Sequence, residues 1–347
     1  MNAAAFTALS GSHEVGYVGP INPPAFALEK MASKLKRLAG SRGDFFFFSA
    51  RRLNSIAREV ASRCNTEGAL DFFHGFTPWI LTRPVGPYIA WSDCTFRDYV
   101  DIYHRRTEFT SEDLTRIEQS EADWLKGARR VLFTSEWAAK RAVCDYGLAA
   151  ERVACVGIFG EIEMPAQDAY VEGSEFVFVS TDFNAKGGHI VLAALREVRK
   201  RHPDASLVVV GDRPAGAIDE AGAKFTGFLH KEIPDERRLF GEILGRARAV
   251  VHPTRRDIAP LLLVEAAYFG CPAISSRKFA IPEVVEDGHT GILLEDSSQA
   301  GAVADAMCRM LDHEDEYRSM RVATWSRSRE RNSRERFEDR LLAAVFE

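Results

Sequence analysis

Two acids, Asp257 and Glu265, stand eight positions apart around the apolar run Ile-Ala-Pro-Leu-Leu-Leu-Val, just past the strand-like stretch Ala249–His252. A carboxylate inside Leu261–Ala267 needs partners, because an ionised group taken out of water unpaired is costly. Ligand hydroxyls could supply them; so could a helix N-terminus, or an ion pair with Arg255 or Arg256. Upstream, Lys186-Gly187-Gly188 follows the apolar run Phe176–Ser180 and opens the helical pattern His189–Lys200. Glycines allow a tight turn there, a helix N-terminus favours an anion, and Lys186 adds a point charge. A plain strand–helix turn with a solvated lysine fits the same tripeptide. A third stretch, Ile281-Pro-Glu-Val-Val-Glu-Asp-Gly288, reads as a loop leading into a helix and a turn.

Short apolar runs alternating with longer amphipathic ones must position these groups. Strands are expected in the first half at Glu14–Val18, Phe45–Phe48, Leu70–His74, Tyr88–Trp91, Arg130–Thr134 and Arg152–Ile158. Helical patterns lie at Ala25–Ala39, Leu53–Cys64, Ser111–Lys126 and Glu136–Tyr146. The second half repeats the plan, with strands at Phe176–Ser180, Leu207–Gly211, Ala223–Thr226, Ala249–His252, Ala273–Ser275 and Gly291–Leu294. Continuous apolar strands alternating with helices indicate parallel sheets covered on both faces, hence two Rossmann-like α/β domains. The boundary is expected in the polar Glu161–Gly173 stretch. The charged Arg327–Phe346, with its stripe Phe337, Leu341, Leu342 and Val345, reads as a helix packed on one side.

Composition removes other classes of function. The chain has 347 residues, too many for one ordinary core. With 45 Lys and Arg against 50 Asp and Glu, the net charge is −5, which argues against a broad nucleic-acid-binding surface. No apolar run approaches the roughly 20 residues that span a bilayer. Met1–Ser12 lacks the basic flank and long apolar stretch of a signal peptide, so a cytoplasmic location is expected. None of the six cysteines forms a CxxC pair, and there is no HExxH and no Asp-x-Asp. No metal site is expected. The first strand is followed by no Gly-x-Gly-x-x-Gly, and a Walker loop is also missing, which removes the usual nicotinamide, flavin and P-loop signatures.

The order of the three chemical stretches carries a resemblance. From Val153 to Phe346 the chain resembles the retaining glycosyltransferases of family 4, whose GT-B architecture places two Rossmann-like domains across a cleft. The matching stretches are Phe176–Ala194, Leu207–Asp212, Phe225–Phe228 (Phe-Thr-Gly-Phe), Asp257–Pro272 and Pro272–Leu294, the last containing Ile-Pro-Glu-Val-Val-Glu-Asp-Gly-His-Thr-Gly. Val131–Ala139 and Gly157–Gly160 look like the end of that family's first domain. Roughly the first 90 residues match only as strand–helix order.

The resemblance implies an acceptor domain at residues 1–163, a donor domain at 164–324, and a final helix at 325–347 crossing back to the first. It implies a nucleoside-diphosphate sugar as donor and no cofactor or metal, because basic groups and helix N-termini neutralise the leaving diphosphate. Lys186 would contact the diphosphate, Glu265 the ribose hydroxyls, and Asp257 the donor sugar. Leu261 and the segment Phe279–Glu283, ending in Glu283, would line the donor pocket, and Gly211 would let the chain approach the nucleotide. Some positions depart from the family's pattern. Thr181 stands where an arginine is usual, Asp257 where a glutamate is usual, and Ala259-Pro260 where Phe-Gly is usual. Lys278-Phe279-Ala280 replaces a start with two glycines.

For the acceptor, a glycan, a lipid-linked sugar or a small molecule, the first half offers His74 and Asp93 at the carboxyl ends of expected strands. Asp93 lies near the place of a histidine that the family brings to the reacting centre; both residues also fit satisfied turn positions. Ala25–Ala39 puts Leu28, Met31, Leu35 and Leu38 on one face and Lys30, Lys34, Lys36 and Arg37 on the other. That fits a core-facing stripe, or the peripheral membrane contact that many members of the family make. A degraded, non-catalytic nucleotide-sugar-binding protein and a sugar-nucleotide epimerase are the alternative functions.

Overall fold

Period decides most of the elements in the computed structural model, which describes all residues except 1, 12, 39, 40, 65–67, 169, 171, 212, 214–219 and 347, and residues 2 and 37 in backbone only. The chain divides into two compact units, Met1–Gly157 with Glu338–Glu347, and Ile158–Phe337. The break thus falls just ahead of Glu161–Gly173.

The first unit runs α1 (Asn2–Ser10), α2 (Ala27–Leu38), α3 (Ala50–Arg63), β1 (Asp71–His74), β2 (Tyr88–Ser92), α4 (Phe96–Tyr103), α5 (Ser111–Gly127), β3 (Arg130–Phe133), α6 (Glu136–Tyr146) and β4 (Val153–Cys155). Among the described residues its sheet is four-stranded and parallel, in the order β1-β2-β3-β4. Caps set the helix starts. Ser49 accepts from the Arg52 amide, Thr95 from that of Asp98, and Ser135 from that of Ala138, each satisfying a donor the helix itself cannot. Gly147, at φ 62°, ends α6 in the left-handed conformation.

Two expected strands of this unit do not form. Phe46–Phe48 is a 3₁₀ turn, because Phe45 and Phe48 are buried while Phe47 is exposed, a spacing of three rather than two. Glu14–Val18 joins no sheet among the described residues; Gly16 interrupts it, Gly19 and Pro20 follow it, and Tyr17 is 74% exposed. A third expectation is corrected at α2. Its apolar stripe does not face a core: Leu28 is 71% exposed, Met31 56%, Leu35 59% and Leu38 75%, while the buried residue is Ser33, whose hydroxyl donates to the Asp44 carbonyl at 2.9 Å. Ala39, the end of the expected helix, lies outside the described residues.

The second unit runs β5 (Glu175–Val179), α7 (Gly188–Val198), β6 (Ser206–Val210), β7 (Ala223–Gly227), α8 (Pro234–Arg246), β8 (Ala249–His252), α9 (Leu261–Tyr268), β9 (Ala273–Ser276), α10 (Ile281–Val284), β10 (Gly291–Leu294), α11 (Ala300–Asp312) and α12 (Glu314–Arg331). Its parallel sheet has the order β10-β9-β8-β5-β6-β7. Phe176 and Phe178 are completely buried, each worth about 1.5–3 kcal/mol relative to exposure, and share a core with Val191 and Leu195 of α7 and Met307 of α11. The chain starts at β5, moves outward through β6 and β7, then returns to the other side of β5 with β8. That reversal makes the carboxyl ends of β5 and β8 a topological switch point, where open α/β sheets bind ligands.

The expected single helix Arg327–Phe346 is broken. Asn332 leaves helical geometry, its side-chain amide donating to the Ile158 carbonyl at 3.1 Å, and the Ser333 hydroxyl accepts from the Arg336 amide to start α13 (Arg334–Phe346). On α13, Phe337, Leu341 and Val345 of the expected stripe are buried, while Leu342 is half-buried.

Candidate functional site

Neighbouring strands β5 and β8 each feed a loop that carries one member of an ion pair. Lys186 follows β5, Asp257 follows β8, and the Lys186 ammonium contacts Oδ2 of Asp257. The lysine also lies 3.4 Å from the Arg256 carbonyl. His252, the last residue of β8, is buried and places Nε2 2.9 Å from the same Asp257 oxygen. Its Nδ1 is buried without a hydrogen-bond partner among the described residues. Burial works to raise the Asp257 carboxyl, but the His252 hydrogen bond and charge, followed by Lys186, outweigh it and hold the group below its ordinary 3.8. The result is a carboxylate between a cation and an imidazole, at the switch point.

Packing dictates the glycines beside it. Asp182 shapes the turn, its Oδ1 accepting from the Ala185 amide and its carbonyl from that of Lys186, both at 3.0 Å. Gly187 has φ 87°, and a Cβ on Gly188 would strike the Phe183 ring. Gly211, assigned by the resemblance to nucleotide approach, has the Ser180 carbonyl pressed against it, so a side chain would collide with backbone. Its neighbour Asp212 lies outside the described residues.

The loop expected to line the pocket is joined to the Asp257 loop by backbone: the Ala280 amide donates to the Ile258 carbonyl at 3.0 Å. Phe279 has φ 53°, unlike any other described non-glycine residue. This left-handed conformation costs a residue with a Cβ about 1–2 kcal/mol. The strain sits where the resemblance expects glycine, on a half-buried residue just before the Ala280 amide that joins Asp257's loop. Leu261 is half-buried at the first position of α9, whose first turn no side chain caps, and Glu283 is exposed on α10.

Glu265 is fully buried. α9 starts at Leu261, directly after Pro260, so Glu265 lies in the second turn, beyond the reach of the helix dipole's N-terminal end. The alternative ion pair with Arg255 or Arg256 is not found among the described residues; both arginines are exposed. Lys231 instead donates to both Glu265 oxygens, at 2.7 and 2.6 Å, and the Glu161 amide donates to Oε1 at 3.1 Å. Burial nevertheless leaves the Glu265 carboxyl above its ordinary value.

In the first unit, His74 ends β1 and Asp93 directly follows the adjacent β2, and both residues are exposed. The His74 ring meets Trp91 edge-on at 5.0 Å; loss of hydration lowers its pKa, against an opposing pull from Asp93. Glu121 of α5 is completely buried. It accepts from the Thr77 hydroxyl (2.7 Å), the Phe96 amide (2.6 Å) and the Tyr146 hydroxyl (2.9 Å), tying together the loops that follow β1 and β2. Burial pushes its carboxyl up to about 7.

Sequence reasoning gave no role to His252, Lys231 or Glu121. Glu121 was findable, since it falls in the apolar stripe Leu114, Ile117, Leu125 of α5. His252 was partly so, as a polar side chain closing a buried strand. Lys231 carries no local signal. Among the described residues no group of three His, Cys, Asp or Glu side chains could hold a metal ion, and no helix is long and apolar enough to cross a membrane.

Comparison with known proteins bears on the fold and on the kind of protein this chain resembles. Residues 173–313, less than half of the chain, match the family model described as "Glycosyl transferases group 1". The chain is similar to glycogen synthase of Mycobacterium tuberculosis, 30% identical over 140 residues that cover 38% of this chain and 32% of that protein. It is also similar to alpha-D-kanosaminyltransferase of Streptomyces kanamyceticus, 23% identical over 294 residues, covering 76% and 71%. Against the glycogen synthase, the chain spans about a third of the relative's length. Among solved structures, Anabaena HepE in complex with UDP aligns with a TM-score of 0.61 at 15% identity, covering 84% of this chain and 81% of that one. A UDP-forming trehalose-phosphate synthase from Burkholderia vietnamiensis aligns with a TM-score of 0.65 at 12% identity, covering 92% and 85%. At such identities the likeness is one of fold, and that fold is GT-B: two parallel-sheet, Rossmann-like units.

Proposed function

We propose that this protein is a metal-independent, retaining glycosyltransferase of family 4 that moves a hexose-type sugar from a nucleoside diphosphate to an acceptor hydroxyl. The observation carrying the proposal is the Lys186–Asp257–His252 constellation at the switch point of the second unit's sheet. The matched family description and the names of the relatives favour transfer over the epimerase and non-catalytic alternatives. The UDP held by HepE supports a nucleotide-sugar donor.

In this reading the donor's diphosphate takes the Lys186 ammonium, a charge-assisted contact that needs no metal. Glu265 accepts the ribose hydroxyls, while Leu261, Phe279 and Glu283 border the sugar. As the bond from C1 to the phosphate oxygen breaks, positive charge grows on the sugar ring, and ionised Asp257 stabilises it. The acceptor oxygen bonds to C1 on the face the phosphate leaves, and the leaving phosphate oxygen takes the acceptor proton. Configuration is thereby retained. His74 and Asp93 orient the acceptor in the first unit.

The exposed stripe Leu28, Met31, Leu35 and Leu38, beside Lys30 and Lys34, supports contact of α2 with an anionic bilayer, which suits a lipid-linked acceptor. The test is incubation with UDP-, GDP- and dTDP-sugars followed by proton NMR of the released sugar. Release of the α-anomer first from an α-linked donor is expected; β-anomer first would overturn retention, and no release from any donor would overturn the enzyme reading.

A further inference from the structure

Lys231 reaches Glu265 from the loop between β7 and α8, and two contacts from α8 hold it there. The Phe240 ring lies 5.1 Å from its ammonium, and Arg237 donates to its backbone carbonyl at 3.1 Å. The Glu265 side chain is 1% exposed and that of Lys231 31%, so the lysine forms the solvent-side flank of the pair. The ammonium therefore stands between the Glu265 carboxylate and solvent. Two of its three N–H donors are directed at the two carboxylate oxygens.

Resting on the nucleotide reading above, we propose that Lys231 is a positioning residue for the nucleotide: it keeps Glu265 ionised, with both oxygens aimed, so that the carboxylate can accept the ribose hydroxyls. The physical argument is one of burial. A carboxyl this deep takes up a proton unless a cation faces it, and the protonated form loses acceptor capacity and turns an O–H toward the site. Among the described residues three groups face Glu265. Lys231 comes from the β7–α8 loop. Glu161 comes from the segment entering the second unit, its amide donating while its carboxylate opposes ionisation. Tyr268 comes from α9 itself, its phenol pushed up by burial to about 12 and so neutral. Lys231 is thus the cation among them, and removing it leaves burial and Glu161 acting together to raise the Glu265 carboxyl further.

The test is calorimetric titration of UDP, GDP and dTDP from pH 5.5 to 8.5 into wild type, Lys231→Met, Lys231→Arg, Glu265→Gln and the Lys231→Met/Glu265→Gln double variant. The ligand's own phosphate titration is common to all five and cancels in the comparison. Lys231→Met should lose affinity at a higher pH than wild type, leaving a gap of roughly tenfold near pH 6 that narrows toward pH 8.5. Lys231→Arg, which keeps the cation, should follow wild type. In the Glu265→Gln background the lysine substitution should leave the pH profile unchanged, because its route of action is gone. Wild type and Glu265→Gln form a second comparison that does not depend on Lys231→Met folding: the acid-side loss of affinity should be present in the first and flattened in the second. Parallel profiles for wild type and Lys231→Met, or an acid-side loss unchanged in Glu265→Gln, would overturn the role of Lys231 and leave the nucleotide reading standing. Failure of wild type to bind any of the three nucleotides would overturn both.

Discussion

His252 Nε2 lies 2.9 Å from Asp257 Oδ2, the oxygen that Lys186 also contacts. A buried imidazole at the end of β8 thus holds the carboxylate that follows five residues later. His252→Leu should lower stability by about 1.5–3 kcal/mol near neutral pH, the usual range for a hydrogen bond to a charged group. Asp257 is held below its ordinary 3.8 in the folded state, so its contribution is present above that value and lost as pH falls through the folded one. Urea denaturation should therefore show the gap between wild type and variant shrinking below pH 3.8. A gap that stays constant with pH would detach His252 from the charge on Asp257.

Phe279 gives a prediction with an unusual sign. Glycine is ordinarily less stable than alanine by about 0.5–1 kcal/mol within regular structure, but at φ 53° alanine keeps the strain and glycine releases it. Phe279→Gly should therefore be more stable than Phe279→Ala by about 1 kcal/mol in thermal unfolding, and should accept bulkier donor sugars. Alanine as the more stable of the two would show that the loop relaxes out of the left-handed region.

How much of this was legible depends on how local each signal is. Ala249–His252 and Gly291–Leu294 could be read to the residue, because fully buried parallel strands are continuous apolar runs. Phe45–Phe48 looked the same and is not a strand; four phenylalanines conceal whether the burial period is two or three. Lys186, Asp257 and Glu265 stood out by type and spacing, yet their partners did not. The contact between Lys186 and Asp257 depends on β5 lying beside β8, and the pairing of Glu265 with Lys231 on a loop 34 residues away. The stripe on α2 had the right period for burial, and period alone does not say what covers it.

Glu121 makes the first unit's stability depend on pH in the opposite sense from Asp257. Its folded-state value of about 7 lies above its ordinary 4.5, so its contribution is full below 4.5 and is lost as pH rises through 7. Relative to Glu121→Gln, which does not titrate and whose amide oxygen can still accept from Phe96 and Tyr146, wild type should lose roughly 3 kcal/mol between those limits. Paired denaturation curves at pH 4.5 and 8 measure it, and an unchanged difference would show that the carboxyl titrates normally.

The α2 reading predicts sedimentation of the protein with phosphatidylglycerol vesicles, weakened by salt. Lys30→Ala with Lys34→Ala should reduce that binding roughly 30-fold, at about 1 kcal/mol per lysine near an anionic surface. Leu35→Glu should abolish it. Equal binding to neutral phosphatidylcholine vesicles, unaffected by these changes, would contradict the reading.

The central claim is that the constellation at the β5–β8 switch point receives a nucleoside diphosphate through Lys186. Calorimetric titration of UDP, GDP and dTDP into wild type and Lys186→Ala tests it most directly. Wild type should bind at least one of them, and the variant should bind that ligand roughly 10- to 150-fold more weakly, the equivalent of one charge-assisted hydrogen bond of about 1.5–3 kcal/mol. Equal affinity in the two proteins would contradict the account.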